Sequence, residues 1–284
     1  MACFLSRFQA ESILDAIGSG KNAVKVSLDL GMTVSKASLI GGAAVFPDGQ
    51  RAESDILGKI RDSPACVMFE GGQALKMQFY LPETGRTYRL IPSGPRTAPT
   101  AELAGFRMHR VKGSDPMADT MTKIDAVKPI RGRVLDTCCG LGYTAIAAAG
   151  AGADEVYSVE VDAGMRSLRE VNPWSSRLFC DRIMLVDGDV TAEVEGFDDG
   201  FFDVVIHDPP SLNIAGELYS RRFYLQLHRV LKPGGRLFHY VGAPGSRYRG
   251  KKPARGVVER LRETGFADVA EEPRALGVTA KKEA

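Results

Sequence analysis

From about residue 130 onward, short apolar runs alternate with stretches of helical spacing. The runs are Arg133–Asp136, Glu155–Glu160, Ile183–Asp187, Phe202–His207 and 236–241, and the helical stretches cover 143–149, Ala163–Val171 and 219–231. Continuous rather than alternating apolarity is the mark of strands covered on both faces. Strands and helices in alternation can be buried together in few ways, chiefly as a parallel sheet with helices on both sides, reached by right-handed crossovers. The expected fold class is therefore α/β, a doubly wound sheet whose ligand-holding loops all lie at the carboxyl ends of the strands.

The chain upstream obeys a different rule. Residues 23–30, 36–40, 66–70, 75–81 and 87–91 read as short strands separated by Gly-Gly, Pro-Asp-Gly and Pro-Glu turns, with one helix over 52–61 and another in the first twenty residues. Residues 92–99 (PSGPRTAP) read as a linker. The division expected is a small α+β domain over 1–100 and an α/β domain over 101–284. Asp29-Leu-Gly-Met-Thr33 has the look of a phosphate loop. The two-halved fold that uses such a loop needs more chain than separates it from the next motif, so a strand ending in a glycine turn is the better reading.

Charge excludes little: 37 Lys and Arg face 35 Asp and Glu, a net charge of +2. That balance argues for no global nucleic-acid or membrane partner and leaves local clusters to carry any such role. No apolar stretch nears ~18 residues, and the first residues show no secretory pattern, so the expectation is a cytoplasmic chain with reduced thiols. The five cysteines and four histidines have no metal-ligand spacing, and no metal is expected.

The segment Arg133-Val-Leu-Asp136-Thr-Cys-Cys-Gly140-Leu-Gly142-Tyr-Thr-Ala is a strand, an acid, a glycine turn and a helix start. The second strand ends 24 residues on, at Glu160, where a carboxylate can accept hydrogen bonds from ribose hydroxyls. Asp136 departs from the dinucleotide fingerprint: an acid there repels a pyrophosphate and suits a cofactor bearing a cationic or amino group. In these features the chain resembles the class I S-adenosylmethionine-dependent methyltransferases, whose first motif, DxxxGxG, is matched by Asp136, Gly140 and Gly142. The DPP-bearing pattern as a whole resembles an archaeal family of such methyltransferases. The resemblance implies a seven-stranded sheet, S-adenosylmethionine as cofactor, the Gly140–Gly142 backbone against its methionine part, Glu160 on the ribose and Asp189 beside the adenine. Cys138, inside the glycine loop, is either a thiol placed near a helix N-terminus or a small residue where the loop hugs its ligand. Asp119, Thr120 and Lys123 lie in the segment entering the first strand, which in this superfamily closes over the cofactor; an ordinary capped helix accounts for them equally.

The fourth strand ends in His207-Asp208-Pro209-Pro210-Ser211. In amino-methyltransferases of this fold a D/N-P-P tip holds an NH2 group, and here Asp208 and the Pro209 carbonyl match it, with Pro210 stiffening the turn. Ser211 stands where those enzymes carry an aromatic residue, which weakens the case for a stacked base. No cysteine follows Cys180, so cytosine-C5 chemistry by a downstream thiolate is disfavoured. His207 is either a base near neutral pH or a packed strand histidine, and His239 invites the same pair of readings.

Gly216-Glu217-Leu-Tyr219-Ser220, followed by Phe223-Tyr224 and the Lys-Pro-Gly-Gly run ending at Gly235, is similar to the aminopropyltransferases of the spermidine synthase type; Glu217, Tyr219 and Ser211 are then acceptor-binding candidates. The loop after the fifth strand, 246–256, holds five basic residues, Arg247, Arg249 and Lys251 among them, and no acid. It is either a phosphate-contacting element for RNA or a solvated basic loop. The reading that unites these features is a methyltransferase acting on a nitrogen of RNA or protein. The alternatives are an aminopropyltransferase using decarboxylated S-adenosylmethionine, and a non-catalytic cofactor- or RNA-binding module.

Overall fold

The computed structural model describes residues 2–242 and 253–284. The chain divides into two compact units, one formed by residues 1–117 with 164–176, the other by residues 118–163 with 177–284.

In the first unit the strands are β1 (Cys3–Leu5), β2 (Ala23–Val26), β3 (Ser35–Ile40), β4 (Ala43–Val45), β5 (Arg51–Glu53), β6 (Val67–Glu70), β7 (Gln73–Lys76), β8 (Gln78–Leu81), β9 (Arg86–Ile91), β10 (Thr100–Leu103) and β11 (Phe106–Arg107). The helices are α1 (Arg7–Gly18) and α2 (Ser54–Arg61). The strands form three small sheets, ordered β1-β6-β7, β2-β3-β4-β5 and β11-β10-β9-β8. Helix α1 starts at a capping box in which Ser6 and Gln9 satisfy each other's end of the helix. Its buried Ala10 and Ile13 pack with Leu5, Phe46, Leu57, Ile60 and Phe69 in one core.

Three expectations for this region change. The run at 75–81 is two strands, because Met77 turns inward (5% exposed) and exchanges backbone hydrogen bonds with Cys66 and Leu90, so β7 and β8 join different sheets. Residues 92–99 do not link domains: they connect β9 to β10, which pair antiparallel, and a cut at residue 100 falls on the first residue of β10. The Asp29–Thr33 turn closes on itself, the Asp29 carboxylate accepting from Thr33 N, Thr33 Oγ1 and Ser27 Oγ. Gly31 in that turn has φ +102°, and a Cβ there would lie 2.5 Å from the Arg96 Cα, so glycine is required by packing.

The second unit carries α3 (Pro116–Ala126, from Ala118 on), β12 (Arg133–Asp136), α4 (Tyr143–Gly150), β13 (Glu155–Glu160), β14 (Ile183–Asp187), α6 (Val190–Glu193), β15 (Phe202–His207), α7 (Arg221–Val230), β16 (Leu231–Tyr240), α8 (Pro253–Glu263), β17 (Phe266–Glu272) and β18 (Gly277–Lys282). Helix α5 (Ala163–Val171) begins where the chain passes between units. The strands form one seven-stranded sheet in the order β14-β13-β12-β15-β16-β18-β17, parallel except at β18. Neighbouring residues along a strand enter different cores, as expected of a sheet packed on both faces: Val134, Val204, Ile206 and Phe238 lie in one, Leu135, Val205 and Leu237 in the other. The Lys-Pro-Gly-Gly run lies within β16, and residues 280–282 are the end of β18. Among the described residues no helix is long and apolar enough to cross a membrane.

Candidate functional site

The first turn after β12 is shaped by hydrogen bonds that draw the backbone tight. Gly142 N donates to the Cys139 carbonyl at 2.7 Å and Cys139 N to the Val159 carbonyl at 2.8 Å. Gly142 is the N-cap of α4 at φ +79°, and a Cβ there would lie 2.6 Å from both Leu178 methyls, so the second glycine of the motif has no substitute. Gly140 N donates to Glu160 Oε2 at 2.7 Å, and Asp162 N to Glu160 Oε1 at 2.9 Å. Glu160 thus ties the glycine turn to the tip of the neighbouring strand.

Asp136 is fully buried. Its Oδ2 accepts from Ser158 Oγ, on the adjacent strand, at 2.6 Å, while its Oδ1 has no hydrogen-bond partner among the described residues. Burial pushes its carboxyl up to about 7; the negative charges of Asp208 and Glu160 add to the rise, and the Ser158 hydroxyl and the Lys123 ammonium oppose it. A buried carboxyl with one unsatisfied oxygen, poised to ionise, is built for an ammonium or other cation.

Asp208 does not stand alone at its strand tip. Lys123, from α3, places its ammonium 2.5 Å from Asp208 Oδ2 and 3.1 Å from Asp119 Oδ2, with the Tyr240 ring 4.6 Å away beneath it. Burial works against that charge, but the two carboxylates prevail and raise the Lys123 pKa. Lys123 is therefore a fixed cation rather than a base or nucleophile. The sequence placed Lys123 in a helix preceding the sheet and gave no sign that it reaches Asp208, 85 positions away. Thr120, like Asp119, is buried on α3.

His207 is a packed histidine. It is fully buried; Nε2–H donates to the Leu218 carbonyl at 3.0 Å, which leaves Nδ1 to accept from Thr137 Oγ1 at 2.7 Å. Burial pushes its pKa down to about 3, so both nitrogens are engaged and the ring stays neutral. His239 lies against it with ring centroids 4.4 Å apart, donating from Nδ1 to the Tyr240 carbonyl and accepting at Nε2 from Tyr224. The Cys138 thiol is likewise held protonated, its pKa raised by burial and by the acids around it, which removes the thiolate reading.

The remaining candidates fall in several places. Asp189 caps α6, its Oδ1 accepting from Thr191 N and Thr191 Oγ1, both at 2.8 Å. Tyr219 is buried and its hydroxyl donates to the Pro210 carbonyl at 2.9 Å, so it braces the proline turn from within. Pro209 is buried, Ser211 exposed. Among the described residues the Ser211 side chain makes no hydrogen bond; its carbonyl accepts from Ile214 N and Ala215 N, closing a turn flanked by exposed Leu212 and Ile214. Glu217 is exposed and lines a surface cavity of about 300 Å³ with Thr191, Ser220 and Arg222. Arg247, Arg249 and Lys251 lie outside the described residues. Ser158, Thr137 and the ring of Tyr240 were missed by sequence reasoning, because each meets its partner across from another element of the fold.

Residues 134–235 match the family described as a methyltransferase domain. Over 274 residues the chain is 44% identical to the uncharacterized protein MJ1233 of Methanocaldococcus jannaschii, covering 94% of this chain and 92% of that one. A shorter stretch of 105 residues is 33% identical to polyamine aminopropyltransferase 2 of Streptomyces coelicolor, 34% of this chain and 19% of that one. Among solved structures, a probable spermidine synthase from Corynebacterium glutamicum shares the fold at a TM-score of 0.51 and 17% identity, over 70% of this chain and 77% of that one. The unsatisfied Asp136 oxygen, the glycine turn and the strand-tip acids fit S-adenosylmethionine, the cofactor of this domain. The chain belongs to the family of the Methanocaldococcus jannaschii protein MJ1233, and its residues 134–235 form a methyltransferase domain of the class I, S-adenosylmethionine-dependent type.

Proposed function

We propose that the protein transfers a methyl group to a nitrogen of RNA or of a protein, the nitrogen being held by Asp208 and the Pro209 carbonyl. The observation that carries the reading is Asp136: a buried carboxyl whose second oxygen lacks a partner, beside a glycine turn tied to Glu160. Bound there, S-adenosylmethionine supplies an electrophilic methyl on a sulfonium. Asp136 receives the cationic methionine part, the Gly140–Gly142 backbone lies along it, and Glu160 accepts from the ribose hydroxyls. Asp189 is assigned to the adenine end, its carboxylate already oriented by Thr191. Cys138 serves as a small wall of the turn. Asp208 and Pro209 aim the nitrogen lone pair, Tyr219 fixes Pro210, and the rate derives from proximity and orientation, with no covalent intermediate. The basic run at 246–256 favours the anionic of the two acceptors, RNA.

The test is calorimetric titration with S-adenosylmethionine and with its decarboxylated form, followed by transfer of labelled methyl to RNA and to protein fractions. Tighter binding of the carboxylated form and label in either fraction support the proposal; preference for the decarboxylated form overturns it. Aminopropyl transfer is the second reading, favoured by the stretch similar to the Streptomyces aminopropyltransferase and by the two acids, Asp119 and Asp208, that flank Lys123.

A further inference from the structure

The surroundings of the Lys123 ammonium have the composition of a receptor for a primary amine: two carboxylates, at 2.5 and 3.1 Å, and an aromatic face at 4.6 Å. The ligand is part of the chain. Lys123 is 2% exposed, one turn of α3 along from Asp119, so it has neither room nor slack to leave its partners. Carboxylate pairing keeps it charged despite burial. Asp208, the acid at the strand tip, is thereby neutralised locally on the side where Oδ2 lies.

We propose that Lys123 is a specificity-determining residue, an internal ammonium that occupies the amine receptor formed by Asp119, Asp208 and Tyr240 and so excludes cationic amines such as polyamines as acceptors. The inference rests on the reading of Asp208 as the acceptor-facing acid, and it narrows the acceptor to an uncharged nitrogen: an amide or a heterocyclic amino group. Such a nitrogen needs a hydrogen-bond acceptor, which the remaining lone pairs of Asp208 and the Pro209 carbonyl offer. A protonated amine needs a carboxylate pair of its own, and Lys123 already occupies the one that Asp119 and Asp208 form. No acid–base step is assigned to Lys123; it acts through Asp208.

The test is titration of putrescine into wild type, K123M and K123R, each saturated with S-adenosylhomocysteine. Wild type and K123R are expected to show no putrescine binding, while K123M binds it at least about tenfold more tightly than wild type. Putrescine binding to wild type, or no gain in K123M, overturns the inference. Should K123M fail to fold, K123A with n-propylamine, which restores the deleted ammonium, decides. A Tm raised by propylamine in K123A and not in wild type supports the receptor, and an unchanged Tm overturns it. Wild type that excludes putrescine but also fails to bind S-adenosylhomocysteine sinks the cofactor reading while leaving the exclusion standing. The two failures are therefore distinguishable.

Discussion

Acidification from pH 7 to pH 5 sets three buried groups against one another, and substituting Asp136→Asn separates them. His207 titrates at about 3 in the folded chain against an ordinary 6.5, and His239 lies well below 6.5. An imidazole of this kind takes up its proton only on unfolding, so its contribution is intact above pH 6.5 and is lost as pH falls. Between pH 7 and pH 5 His207 costs about 2 kcal/mol, and His239 adds a cost of the same sign. Asp136 has the opposite sign. Its folded pKa of about 7 exceeds the ordinary 3.8, so ionisation above 3.8 favours the unfolded chain, and the penalty shrinks as pH drops from 7 toward 4. Over the same interval Asp136 returns about 2 kcal/mol. Wild type should therefore lose about 2 kcal/mol less over this interval than D136N, which lacks the offset. Urea denaturation of both proteins at the two pH values measures the difference, in which all other titrating groups cancel. Equal losses in the two proteins would refute the claim that Asp136 is held near neutrality by its surroundings.

Asp208→Ala should abolish turnover while changing S-adenosylmethionine affinity by no more than a few-fold, read by calorimetry beside an activity assay; a large loss of affinity would move Asp208 into the cofactor's own contacts. Tyr219→Phe removes the brace on the Pro210 carbonyl and should cost about 1 kcal/mol of stability. On the proposed reading, in which that brace positions the acceptor, kcat should fall with the cofactor KM unchanged. Gly142→Ala meets both the positive φ and the Leu178 methyls, and should destabilise the chain by about 2–5 kcal/mol in denaturant unfolding.

The parallel strands were legible because burial on both faces leaves an uninterrupted apolar run; β12, β13, β14 and β15 span the same residues as those runs. The strand-tip acids Asp136, Glu160 and Asp208 were legible for the same reason, since a tip is defined by its strand. Three-residue strands such as β1 and β4 carry no period of their own and are made by their partners. Met77 shows how one inward side chain divides an apparently continuous strand between two sheets. At the site, the acids could be found but not their partners: Ser158 and Lys123 reach Asp136 and Asp208 from other elements, a relation that only the fold creates. His207 was open to two readings, a base or a packed strand histidine; its ring is held by Thr137 and the Leu218 carbonyl, a choice set by which buried partners were within reach.

The histidine pair also bears on how the sheet finds its alignment. His207 and His239 are direct neighbours on β15 and β16, and their outer nitrogens are satisfied by groups beyond the two strands: Thr137 following β12, the 218 carbonyl and Tyr224 on α7. Apolar strands alone tolerate a slip of two residues, because Val, Ile and Leu replace one another with little penalty. Here any slip would strand two imidazoles in a dry interior, with up to four hydrogen bonds unmade. The pair thus acts as a checksum on strand alignment. It admits only the arrangement in which Asp136 and Asp208 arrive at the same edge of the sheet.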